Sequence, residues 1–106
     1  MKNGKEFLFK NLYEKVEINS DELTNLYFIQ FPDEIENREK LYTTKGVKKN
    51  LRSQLRSELS VIIIEGEKLN LIKIIKSKWN KKYKYAHLFL TDEGKKYYED
   101  NYLNKQ

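Results

Sequence analysis

Val47, Leu51, Leu55 and Leu59 recur at every fourth position, the spacing that lines them up in one stripe along an α-helix. Between them fall Lys45, Lys48, Lys49, Arg52, Ser53 and Arg56, which group on another face, and no carboxylate interrupts them until Glu58. A helix of this kind must bury its leucine side and turn its cations toward solvent or an anion. Thr43 and Thr44 mark its start. Its end is expected between Leu59 and Gly66. Periodicity leaves open whether Val61, Ile62, Ile63 and Ile64 form its last turn or a buried strand.

The flanking segments supply partners for that stripe. Phe7, Leu8, Leu12, Tyr13 and Val16 predict one face of a helix over roughly 5–17, with Val16 and Ile18 as an alternative short strand at its end. Ser20 before Asp21-Glu22-Leu23 reads as a hydroxyl cap followed by acids that suit a helix N-terminus. That helix carries Leu23, Leu26 and Tyr27 and should stop before Pro32, the one proline. Leu26 to Phe31 are also rich enough in β-formers to be a strand. Asp33 is expected to cap a further short turn over 33–42, with Ile35 and Leu41 inward.

Residues 69–90 read as a β-hairpin. Leu71, Ile72, Ile74 and Ile75 ascend, Asn80-Lys81-Lys82 turns, and Tyr83 to Leu90 returns. Aliphatic residues occupy the base, while Lys76, Lys78, Lys81, Lys82 and Lys84 surround Trp79 and Asn80 at the tip. Thr91-Asp92-Glu93 then starts a last helix over 92–103 with Tyr97, Tyr98 and Tyr102 as its apolar ridge. We expect a single α+β domain spanning 1–106.

Charge is distributed unevenly. Residues 1–42 hold six Lys/Arg against nine Asp/Glu, residues 43–86 twelve against three, and residues 87–106 three against four. A net charge of +5 spread evenly would argue only for solubility. Concentrated in one segment, it makes a field that can steer and hold a polyanion. The bias toward Lys, Asn, Ile and Tyr is that of an AT-rich bacterial, plasmid or phage genome.

Other chemistries are poorly served. There is no cysteine, which removes disulfides, thiolate catalysis and zinc knuckles together. The one histidine, His87, sits between Ala86 and Leu88 and reads as structural, so neither a metal site nor a cofactor is expected. The longest aliphatic run, Val61 to Ile64, falls far short of the roughly 20 residues needed to span a bilayer, and the N-terminus lacks a leader pattern. A cytoplasmic location follows as an expectation.

The run Leu88-Phe89-Leu90-Thr91-Asp92-Glu93-Gly94 resembles the junction between wing and last helix in winged helix-turn-helix proteins. Many bacterial regulators of that class place Leu-Thr-x-x-Gly after the second wing strand. The likeness covers about the last 60 residues, with a Lys-rich hairpin and a basic helix preceding the motif. By size, charge and element order the chain also looks loosely like the small accessory proteins of conjugative plasmids that bind a transfer origin (the TcpK type). The segment 31–42 departs from the pattern, being longer and more acidic than a compact helix-turn-helix requires.

The resemblance implies double-stranded DNA as ligand, a homodimer, and association with other proteins of a DNA-processing complex. Arg52 and Arg56, one turn apart, suit bidentate contacts to guanine, while Lys45, Lys48 and Lys49 suit phosphates and Ser53 adds a polar contact. At the tip, Lys76, Lys78, Lys81, Lys82 and Lys84 can reach the walls of a minor groove. Trp79 and Asn80 either join that contact or, in the case of Trp79, brace the hairpin against Tyr83. Two other classes fit a small basic chain: an RNA-cleaving toxin, disfavoured because no arginine follows Arg56, and a module that meets an acidic protein.

Overall fold

The structure, a computed structural model, describes residues 3–15, 17–41, 47–75 and 87–104, with the side chains of Ser20, Leu41 and residues 47–50 outside that description. Its elements run α1 (Gly4–Lys15), β1 (Ile18–Asn19), α2 (Ser20–Gln30), α3 (Pro32–Leu41), α4 (Val47–Lys68), β2 (Ile72–Ile75), β3 (His87–Leu90) and α5 (Asp92–Tyr98), continued by a wider π-type turn over Glu99–Leu103. The class is α+β.

Helix α1 lies at the centre. Phe7, Leu8, Phe9 and Leu12 are all at most 2% exposed, so the helix is enclosed on more sides than an amphipathic stripe provides. Asn11 is buried among them, and its polar ends are both used. Nδ2 donates to the Phe7 carbonyl at 2.7 Å, and Oδ1 accepts from Gln30 Nε2 at 3.0 Å, which ties α1 to α2. The strand alternative at its end is also realised, later in the chain than Val16, as the short β1.

Helix α2 starts one residue earlier than the hydroxyl reading required. Asn19, not Ser20, is the cap: its side chain accepts from the Glu22 backbone N–H at 2.8 Å and donates back to Glu22 Oε1 at 2.7 Å. A short Asx side chain reaches that amide from extended backbone, which lets Ser20 enter the first turn. Leu26 to Gln30 are helical, not strand, because Leu23 and Tyr27 one turn apart are both buried against the core. Pro32 opens α3 at the first helical position, where its missing N–H costs nothing.

The leucine stripe of α4 is buried as expected at Leu51, Leu55 and Leu59, and it continues through Ile63. The helix runs on past Gly66 to Lys68. Gly66 does not break it because it is packed inside the last turn, where a Cβ would come within 2.5 Å of Ile72 Cδ1. The stop is Asn70, whose φ of 60° is left-handed. Its N–H bonds to the Glu67 carbonyl at 3.0 Å and that of Leu71 to the Gly66 carbonyl at 2.8 Å, the paired closure of a Schellman motif. Residues 61–64 are therefore helix, and only Ile63 among them is fully buried.

The sheet is antiparallel with strand order β1-β3-β2. Ile72 pairs with Leu90, Ile74 with Leu88 and Ile75 with His87, while Ile18 on the other edge also pairs with Leu88. Side chains alternate, so Ile72, Leu88 and Leu90 face the core while Lys73, Ile75 and His87 are exposed.

Thr91 then performs three tasks. Its side chain accepts from the Gly94 N–H at 3.0 Å, its hydroxyl donates to the Asn70 carbonyl at 2.6 Å, and its own N–H donates to the Leu71 carbonyl at 3.1 Å. The tyrosine ridge of the last helix turns inward on α1. Tyr98 stacks on Tyr13 at 4.9 Å and Tyr97 on Phe9 at 5.3 Å, while Tyr13 donates its hydroxyl to Glu99 at 2.9 Å.

Candidate nucleic-acid interface

An α-helix turns about 100° per residue, so Arg52 and Glu58 flank Leu55 at roughly 60° on opposite sides. This places one charge set on each margin of the buried stripe, and each margin meets a different neighbouring helix. On one side the Arg38 guanidinium of α3 grips Glu58 with both terminal nitrogens, Nη1 to Oε2 at 2.8 Å and Nη2 to Oε1 at 3.2 Å. The same Nη2 reaches Glu34 Oε1 at 3.2 Å, and Glu34 in turn accepts the hydroxyl of the buried Tyr27. This fork is a charge-assisted, planar contact of the stronger kind. Arg38 holds the Glu58 carboxyl below its ordinary range, and burial, then the bond to Glu34, pushes the Tyr27 phenol up.

On the other side Asp21, in the first turn of α2, accepts from both expected base-reading arginines. Arg52 Nη2 lies 3.2 Å and Arg56 Nη2 2.6 Å from the same oxygen, Asp21 Oδ1. All three side chains remain about a third exposed (36%, 34% and 40% for Arg52, Arg56 and Asp21). Arg56 Nε, by contrast, is buried without a hydrogen-bond partner.

The structure thus brings Arg52 and Arg56 together, beside an exposed Ser53, at the edge of the α2–α4 packing. These arginines are not a bare cationic face, because a carboxylate from the acidic segment 1–42 lies between them. Lys48 and Lys49 lie on α4 with side chains outside the description. Lys45 and the tip residues Lys76, Lys78, Trp79, Asn80, Lys81, Lys82 and Lys84 lie outside the described residues. Asp21 was legible in the sequence only as a helix-start acid. The one available signal was the four-residue spacing of Arg52 and Arg56, which lets one carboxylate serve both, but nothing in linear order says which carboxylate.

His87 donates no chemistry toward that edge. Its Nδ1 lies 2.7 Å from Glu17 Oε1 across the outer pair of strands, a surface contact joining β3 to the residue before β1. A cleft of about 510 Å³ between the start of α1 and α3 is lined in part by Asp33 and Glu34, carboxylates that suit it poorly to a polyanion. Among the described residues there is no cluster of metal-ligating side chains, and no helix is long and apolar enough to cross a membrane. Searches against protein-family models, curated proteins and solved structures returned no match.

Proposed function

We propose that this chain binds double-stranded DNA as a winged-helix protein, with α4 as the helix presented to the major groove and the β2–β3 connection as the wing. The observation that carries this reading is the pairing of Ile75 with His87, which closes the hairpin at its last described pair. The eleven residues between them hold five lysines and no carboxylate. Strands rooted in the core through Ile72, Leu88 and Leu90, with an exposed last pair and a connection of that composition, suit a phosphate-contacting wing. The strand order β1-β3-β2, with β2 following α4 directly, is compatible with the same arrangement.

Under this reading, lysines neutralise phosphates and set the register, while Arg52 and Arg56 supply discrimination among base pairs. The protein acts as a homodimer, since one small domain offers few contacts and two-fold symmetry matches paired half-sites. Its biological task is that of a plasmid or phage regulator, or of an accessory factor that marks an origin of transfer within a DNA-processing complex.

The test is retention of a mixed-sequence duplex in a mobility-shift assay over a salt series. If six to ten phosphates are contacted, affinity drops by about 10³–10⁵ between 50 and 200 mM salt. A chain that retains no duplex at 50 mM salt, or does so without salt dependence, is not a DNA-binding protein of this kind.

A further inference from the structure

Two cations share one carboxylate oxygen where α2 meets α4. The Arg38–Glu58 fork on the opposite margin uses both terminal nitrogens of the arginine and both oxygens of the carboxylate. The Asp21 contact engages a single Nη2 of each arginine, converges on Oδ1 and leaves Arg56 Nε buried without a hydrogen-bond partner. As a pure fastener it is inefficient, because two like charges are held together and a buried donor goes unused. What it does achieve is orientation. Each guanidinium reaches Asp21 Oδ1 through one nitrogen while staying about a third exposed, so both side chains are aimed at the same point on the α2–α4 edge with their other terminal nitrogens left for a ligand.

We propose that Asp21 is a positioning residue that sets the selectivity of the DNA interface by holding Arg52 and Arg56 as a matched pair. The inference rests on the DNA-binding reading given above. A carboxylate at the interface repels phosphate, so Asp21 lowers affinity for any duplex. It also confines two guanidiniums to geometries in which only certain base edges accept them. Selectivity and bulk affinity therefore move in opposite directions when the carboxylate is removed, which a merely structural ion pair does not do.

The experiment is a binding selection from a duplex library with a randomised core, run in parallel with the wild-type chain, Asp21→Asn and Glu58→Gln. Asp21→Asn is expected to retain the unselected library as well as wild type or a few-fold better, while the advantage of the sequences enriched by wild type falls about tenfold. Glu58→Gln is expected to keep that advantage. Should Asp21→Asn lose its cooperative thermal melt, Arg52→Lys with Arg56→Lys carries the test: charge is kept, the two guanidiniums that Asp21 holds are removed, and the same collapse of advantage is expected. An unchanged advantage in the folded Asp21→Asn or in the double lysine variant overturns the proposal, as does a wild-type chain that enriches no sequence while retaining duplex. A wild-type chain that retains no duplex at all sinks the DNA reading itself.

Discussion

Gly94 at the start of α5 lies against the backbone carbonyl of Leu71, so close that a Cβ would sit 2.0 Å from that oxygen. Because the obstacle is backbone, it cannot swing aside. Gly94→Ala must push α5 off the β2 end of the sheet, and a loss of about 2–4 kcal/mol is expected, read as a lowered urea midpoint. Thr91→Ala, which removes the cap and the hydroxyl's bond to the Asn70 carbonyl but leaves the approach intact, should cost about 1–2 kcal/mol. Equal effects from the two variants would show that the close approach is not what selects glycine.

The leucine stripe makes a second prediction. Leu55 is fully buried between α4 and its neighbours, whereas Val61 on the same helix is 65% exposed. Leu55→Ala should destabilise by about 2–5 kcal/mol and Val61→Ala by less than about 0.5 kcal/mol. Denaturant melts of both variants check the contrast.

Acid should act through Glu58. Its folded-state pKa lies below the ordinary value because Arg38 holds the carboxylate ionised. A depressed carboxyl contributes stability that is fully present above the unfolded value and lost as pH falls through the folded one. The stability gap between wild type and Glu58→Gln should therefore be constant near neutrality and close as the pH drops below the usual carboxylate range. Thermal melts from pH 7 to pH 3 measure it, and a gap that widened with acid would contradict the fork as the source.

Alkali should act through Tyr27. Its hydroxyl is buried and donates to Glu34, both of which favour the protonated phenol and push its pKa up. Folding thus opposes its ionisation, and stability falls as pH rises above the unfolded phenol value. In absorbance titration near 295 nm, the step that coincides with alkaline unfolding should be smaller in Tyr27→Phe by one phenol. A titration in which Tyr27 ionises ahead of unfolding would rule out the buried bond.

The proposed wing has its own signature. Lys81→Gln with Lys82→Gln should flatten the dependence of log affinity on log salt by about 0.9 for each phosphate no longer neutralised, with little change in thermal stability. Loss of folding together with binding would place these lysines in the fold instead.

Much of this architecture is legible in the sequence. The i, i+4 stripe, the paired aliphatic strands and the Thr91 cap are local signals, set by helix and strand periodicity and by side chains that reach backbone a few residues away. Local signals mislead where a neighbour outside that range intervenes. Gly66 reads as a breaker until Ile72 is seen to fill the space against it, and Asn19 rather than Ser20 caps α2 because of how the chain leaves β1. The Leu-Thr-x-x-Gly run that suggested a family is, physically, a joint between Asn70, Leu71 and α5.

Sequence alone determined most of the element types and the concentration of cations between residues 43 and 86, because both depend on residues near one another in the chain. Tertiary structure decided what Arg52 and Arg56 meet. Asp21 belongs to the acidic segment 1–42 and yet lies on both of them, while Arg38 from that same segment pairs with Glu58. Coulomb interaction acts through space and is strongest at contact distances, so packing of α2 and α3 on either side of α4 rearranged a charge pattern that linear order had kept apart.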